Sequence, residues 1–245
     1  MENVIGGAGM PKKKKIQRKS IDKTKTIPKP KASIEELQES RNGGQIALRG
    51  YSYQFLYSCY LMLSCKDENT VFNLEGIEDI DKIVSTSDEQ KTMHIQLKYS
   101  ENKQDASFMK SVLKNFLEAY LLDKNRAFKL VYDFSVAKGH LSKLVNNILD
   151  SDELQYWKVT VDEIKNENPQ WNWNQLDFDD LISKVSYENI KKAVLAERVE
   201  IALIENYDIT TDNIKLFANS IKMFCFEKME TRSAVSLNDL KHQIE

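Results

Sequence analysis

The stretch 93-MHIQLKYS-100 puts a polar residue at every second position of a short apolar run. That period of two describes a strand with unlike faces. Ile95, Leu97 and Tyr99 share one face, and His94, Gln96 and Lys98 share the other. Lys98 lies inside the run rather than at its end. Alternation by itself assigns the second face to solvent, so the lysine acquires a role only if its surroundings supply one.

Two strand-like segments stand just upstream: "TVFNLEG" at 70–76 and "IEDIDKIVS" at 77–85. With 93–100 and the polar stretch between, they predict an antiparallel meander with short connections. Downstream, "SFMKSVLKNFLEAYLLD" at 107–123 repeats apolar pairs every four residues, and "FKLVYDFSV" at 128–136 alternates again. A helix between two strands allows a βαβ crossover and a parallel neighbour for 93–100. Before the meander, "NGGQIALRGYSYQFLYSCYLMLS" at 42–64 predicts a helix that is apolar nearly all round from Phe55 to Leu63, hence buried on most sides. The remainder predicts helices at about 140–149, 153–165, 178–206, 212–229 and 236–245, with Ser236 and the "TTDN" at 210–213 as N-caps. Trp171 and Trp173 interrupt these helices in a polar loop; they are read as packing residues, with base stacking the sharper alternative.

The expected fold class is therefore α/β, with strands and helices interleaved up to about 136 and a mainly helical C-terminal part. Residues 1–33 are expected to be a disordered basic arm, 34–150 the core, and 151–245 a helical extension. Ser33 with Glu36 offers a capping box at the start of the ordered part. The last apolar pattern, Leu237, Leu240 and Ile244, is still running at the final residues, which predicts a natural protein extending past Glu245.

A formal net charge of −2 conceals an asymmetry: residues 11–31 carry ten Lys/Arg against Asp22 alone, so the rest is strongly acidic. A basic arm of this kind is either a solubilising tail or a tether to nucleic acid. Three cysteines, Cys59, Cys65 and Cys225, in no CxxC spacing, argue against a disulfide framework and for a reducing compartment. The three histidines have no zinc-site spacing. No apolar run approaches the length of a membrane span and no signal peptide is visible, so a cytoplasmic location is expected.

The polar residues with chemical potential fall on the meander: Glu75, Glu78, Asp79 and Asp81 in "LEGIEDID", then Gln96 and Lys98 in "IQLK". Phosphodiester hydrolysis needs hard oxygen ligands for a divalent cation and a cation near the attacking water. Gln96 and Lys98, two apart on a strand, can address one phosphate. "EDID" does not alternate cleanly, so the acid that faces Lys98 stays open, with Asp81 competing with Asp79. His94 shares the lysine's face, as a neighbour or a base. Arg49 either contacts phosphate or caps a helix turn.

"GGQIALRGYSYQ", "LEGIEDID" and "HIQLKYS", in this order, resemble the double-stranded DNA endonuclease effector modules of bacterial antiphage defence. These are joined to cyclic-nucleotide-sensing SAVED domains in CBASS operons or to NTPase sensors, and belong to the PD-(D/E)XK restriction-endonuclease-like superfamily. The resemblance covers about 42–136 well and the later helices loosely. It implies a restriction-endonuclease-like α/β core, a central mixed sheet flanked by helices, and a Mg²⁺-dependent nuclease, with Mn²⁺ as a substitute, that cuts double-stranded DNA with little sequence specificity. By resemblance, Asp79 matches the metal-binding aspartate, Lys98 the motif lysine, and Gln96 the position often held by Asp or Glu, as in the Mrr-like branch. Glu75 and Glu78 stand as further metal ligands. Gln54 occupies the place of a helical glutamate in related nucleases, and its amide is the weaker ligand. Arg49, Gln54 and Lys103 are the expected DNA-binding residues. A sensor domain or partner chain would activate the module, as an oligomer. The alternative is a catalytically inactive DNA-binding or adaptor module.

Overall fold

The structure is a computed structural model and describes residues 43–244. The expectations for the basic arm and for the Ser33–Glu36 capping box lie outside those residues.

Helix α1 (Gly43–Leu63) precedes a meander of β1 (Thr70–Leu74), β2 (Ile80–Ser85) and β3 (Gln90–Tyr99). Helix α2 (Ala106–Leu122) then leads into β4 (Ala127–Asp133). After it come α3 (His140–Val145), α4 (Ser151–Glu167), α5 (Phe178–Lys184), β5 (Val185–Asn189), α6 (Lys192–Tyr207), α7 (Ile214–Thr231), β6 (Ala234–Ser236) and α8 (Leu237–Lys241). The sheet order is β5-β4-β3-β2-β1-β6. Pairs β1–β2, β2–β3 and β1–β6 are antiparallel; β3–β4 and β4–β5 are parallel. The expected meander, the α2 crossover and the mixed sheet are all present.

Two expectations change. The span 178–206 is not one helix: β5 divides α5 from α6 and extends the parallel half of the sheet. Likewise 236–245 is a short helix preceded by β6, which covers the edge of β1. The mainly helical C-terminal part thus supplies both edge strands. In "VSYEN" the alternation is only five residues long and helical patterns adjoin it, so its pairing with β4, more than fifty residues upstream, decides its conformation. Ser236 caps α8 with a full capping box, Asp239 reciprocating.

Strand alternation distributes the core to both sides of the sheet. Phe72, Leu74, Ile80, Ile95 and Leu97 pack against α1, α6 and α7. Phe128, Leu130 and Tyr132 pack with α2 residues Val112, Phe116 and Tyr120 and with Trp157 of α4. Two tyrosines tie α1 to the far edge: Tyr53 Oη donates to the Ile190 carbonyl and Tyr57 Oη to Glu188, each at 3.0 Å. Cys59 and Cys225 are buried free thiols with Sγ atoms 3.4 Å apart. Trp171 and Trp173 stack on each other at the rim of the second core, and Trp173 donates to the Asn168 carbonyl, as packing residues do. No helix among the described residues is long and apolar enough to cross a membrane.

Phe116 is fully buried with its ring 4.9 Å from that of Phe128, at the contact between α2 and the sheet. Phe116→Ala is expected to cost about 3–5 kcal/mol, read as a lower midpoint in urea unfolding with an unchanged slope.

Candidate active site

The second face of β3 is not solvent surface. His94 is completely buried, its ring stacked on Phe128 of β4, and Gln96 is 4 % exposed. Lys98, nearer the strand end, is half-buried.

The antiparallel ladder of β2 and β3 ends at Ile80 opposite Ile95, next to Asp81 opposite His94. The Leu97 amide therefore has no β2 carbonyl to meet. Asp79 substitutes its side chain: Oδ2 accepts from the Leu97 N–H at 2.5 Å. This bond seats the Asp79 carboxylate between Gln96 and Lys98 in the chain. The charge of Lys98 acts on both Glu78 and Asp79, lowering the tendency of each to protonate. For Asp79 burial is the larger influence and its carboxyl titrates above the usual range. Glu78 is pushed up to about 7, first by burial and then by the neighbouring Asp79 charge; Asn115 of α2 hydrogen-bonds to it.

Asp81 has a different employment. Its Oδ1 lies 2.5 Å from His94 Nδ1 and its Oδ2 accepts from the Ile77 N–H at 3.0 Å. Arg126 donates to His94 Nε2 at 2.7 Å. Since a guanidinium only donates, Nε2 must accept, which places the imidazole proton on Nδ1, toward Asp81. Burial acts to raise Asp81, but the bonds from His94 and from the Ile77 and Glu78 amides outweigh it and hold the carboxyl below its usual range. Gly76 is required beside it: a β-carbon there would stand 2.2 Å from Asp81 Oδ2. Asp81 thus fixes the turn that carries Glu78 and Asp79, and His94 is its buried partner.

Gln54 of α1 is 5 % exposed, and its amide donates to Glu75 Oε1 at 2.6 Å and to the Asp79 carbonyl at a marginal 3.5 Å. It braces the acid turn from inside instead of presenting an outer surface to DNA. Glu75 itself adopts the left-handed region, φ 59°, a costly conformation for a side chain with a β-carbon. Arg49 and Lys103 are exposed, and Arg49 pairs with Glu101 on the loop that also holds Lys103. Sequence reasoning missed Asn115 and Arg126. Neither stood out, since Asn115 lies in the polar stripe of an amphipathic helix and Arg126 in a polar loop.

As a cation site the cluster offers oxygen donors. Among the described residues no three His, Cys, Asp or Glu side chains are grouped to hold a metal ion. Gln96 adds an amide oxygen on β3, next in the chain to the Leu97 amide that Asp79 meets. Its buried Oε1 has no hydrogen-bond partner, which is costly unless a ligand meets it. Asp79, Gln96 and the flanking acids fit Mg²⁺, which needs only one or two protein carboxylates and fills its sphere with water and phosphate.

The family model for the Cap4 dsDNA endonuclease domain matches residues 42–222. The chain belongs to the Cap4 dsDNA endonuclease domain family. The expected kinship with defence nuclease modules is thereby met. Its fold is similar to that of the Acinetobacter baumannii Cap4 SAVED/CARF-domain containing receptor bound to the cyclic trinucleotide 3'3'3'-cAAA: TM-score 0.55 at 17 % identity, over 80 % of this chain and 44 % of that one. The Moraxella osloensis Cap4 SAVED/CARF-domain containing receptor aligns with TM-score 0.52 at 14 % identity, over 82 % of this chain and 48 % of that one. The chain thus spans less than half the length of these Cap4 receptors. No curated protein matches it.

In this Cap4-family site the elevated Glu78 has a measurable consequence. The native state retains a proton that the unfolded chain loses in the usual glutamate range. Stability is therefore lost as pH rises from that range through about 7. Glu78→Gln removes the effect. In metal-free thermal melts, its melting temperature relative to wild type should be higher at about pH 8 than at about pH 5. A difference independent of pH would refute the assignment.

Proposed function

We propose that this chain is a metal-dependent double-stranded DNA endonuclease effector of bacterial antiphage defence, of PD-(D/E)XK type, cutting phosphodiester bonds with little sequence specificity once activated. The observation that carries the reading is the bond between the Asp79 carboxylate and the Leu97 amide. It joins the acid turn to the strand bearing the unpartnered Gln96 oxygen and Lys98.

Asp79 and Gln96 would hold Mg²⁺ or Mn²⁺, with Glu78 and Glu75 as flanking acids. The bound ion supplies charge neutralisation at the phosphate and acidification of water. Lys98 orients the attacking water and stabilises the negative charge that builds on the pentavalent phosphorus. Asp81, His94 and Arg126 keep the turn in place. Asn115 of α2 hydrogen-bonds Glu78 from the helix side, and the burial of Glu78 and Gln96 reduces screening by water around them. Arg49 and Lys103 contribute charge toward the DNA backbone.

The Cap4 receptors it resembles carry SAVED/CARF domains, and one is bound to a cyclic trinucleotide. That supports activation by a nucleotide-sensing region, in a further part of the protein or in a partner chain, with assembly into an oligomer.

A plasmid-cleavage assay in Mg²⁺ or Mn²⁺ tests the catalytic reading, together with calorimetric titration of Mn²⁺. Lys98→Ala should lower cleavage by about 10²–10³-fold while still binding Mn²⁺, and Asp79→Asn should lose both. Cleavage that survives Lys98→Ala defeats the assignment. DNA binding without cleavage in either metal, with an activating ligand and its sensor supplied, favours the inactive adaptor instead.

A further inference from the structure

We propose that Lys192, together with Arg49, forms a clamp for the phosphate backbone of the DNA beside the candidate cleavage site. The inference takes its substrate, duplex DNA, from the nuclease reading, and adds a binding element that the sequence pattern did not single out.

Strands β3, β4 and β5 run parallel, and their C-terminal ends are in register, Tyr99 beside Asp133 and Tyr132 beside Asn189. Ligands of open α/β sheets collect at this end of the strands, and Lys98 lies there too. Helix α6 starts after a two-residue connection from β5, with Lys192 as its first residue. From there the Lys192 side chain reaches back to α1. Its ammonium donates to the Arg49 carbonyl at 3.0 Å and lies 5.1 Å from the centre of the Tyr99 ring.

This arrangement holds two cations near each other without an acid dedicated to both. Asp133 is the nearby carboxylate, but its Oδ1 is engaged by the Lys191 ammonium at 2.9 Å and its Oδ2 by the Lys192 backbone N–H at 2.8 Å. Burial, followed by repulsion from Arg49, depresses the Lys192 ammonium below its ordinary range, while Asp133 works the other way. Arg49 is paired with Glu101, yet both side chains are well exposed, at 43 % and 62 %. A pair so open to water is weak and exchangeable. A phosphate arriving between the two cations removes their repulsion and replaces Glu101 as the partner of Arg49. The carbonyl and the Tyr99 ring fix the ammonium in advance, so little side-chain freedom remains to be lost on binding.

The test is anisotropy of a short labelled duplex of mixed sequence, titrated with the full chain in EDTA over a salt series. Lys192→Met keeps an unbranched stem over Tyr99 and removes the charge. It should bind roughly fivefold more weakly at low salt, with a salt slope smaller by about 1, and an unchanged melting temperature. Lys192→Arg should keep near-wild-type affinity. Exposed Lys165, on α4 beside the other core, gives the matched control Lys165→Met, which should bind as wild type does. Should Lys192→Met fail to fold, Arg49→Gln, a surface change, must show the same loss of slope. Wild-type affinity and slope in these variants overturn the clamp, as does a wild type that binds no duplex at low salt. Cleavage of the same duplex in Mg²⁺ or Mn²⁺ is scored separately. Binding lost in Lys192→Met with no cutting by an activated wild type preserves the clamp and sinks the catalytic reading. Cutting with an indifferent Lys192→Met does the reverse.

Discussion

An amide that would otherwise lack a partner organises this molecule's centre. Strand β3 continues past the point where β2 turns away, and buried N–H groups must be satisfied. The Asp79 carboxylate satisfies the Leu97 amide as a continuing strand would have done. One bond therefore completes the ladder and fastens a carboxylate beside Gln96 and Lys98. Structural completion and candidate chemistry share the same atoms, so the acid turn cannot drift from the lysine without exposing a defect in the sheet.

A second carboxylate makes the first one usable. Asp81 is occupied by His94 and the turn amides, with Arg126 behind the imidazole. Its charge is thus spread through a buried chain of hydrogen bonds reaching the loop before β4. Glu78 and Asp79 have Lys98 and single hydrogen-bond partners, but burial outweighs these and lifts both. Neighbouring acids on one short segment thereby acquire opposite tendencies, one held toward the ionised form and the others toward the protonated one. The contrast arises from which side chains happen to face each carboxylate, since the residue types are nearly the same.

Much of this was legible in the sequence. Strict alternation in 93–100 sorted His94, Gln96 and Lys98 from Ile95, Leu97 and Tyr99, and the apolar pairs of 107–123 announced the crossover helix that makes β3 and β4 parallel. What alternation could not convey was the burial of the polar face, because that depends on packing between elements, as where the His94 ring meets Phe128 of β4. The separate duties of Asp79 and Asp81 were equally hidden: they depend on His94 and, through it, on Arg126, contacts made only after folding. β5 escaped notice because five residues of weak pattern are overruled by the strand they join. Lys192 carries no signal in the sequence for a related reason, since its neighbours Arg49 and Tyr99 lie far away in the chain.

Glu75 has one more implication. Its left-handed backbone is a conformation in which glycine or asparagine would rest more easily. Redesigning this backbone for stability alone would write one of those residues at the turn. A glutamate in that place records a compromise between the demands of the backbone and the carboxylate that meets Gln54. The turn is therefore a poor place to apply consensus or energy-based stabilisation: the substitution that relaxes the chain there also discards the acid.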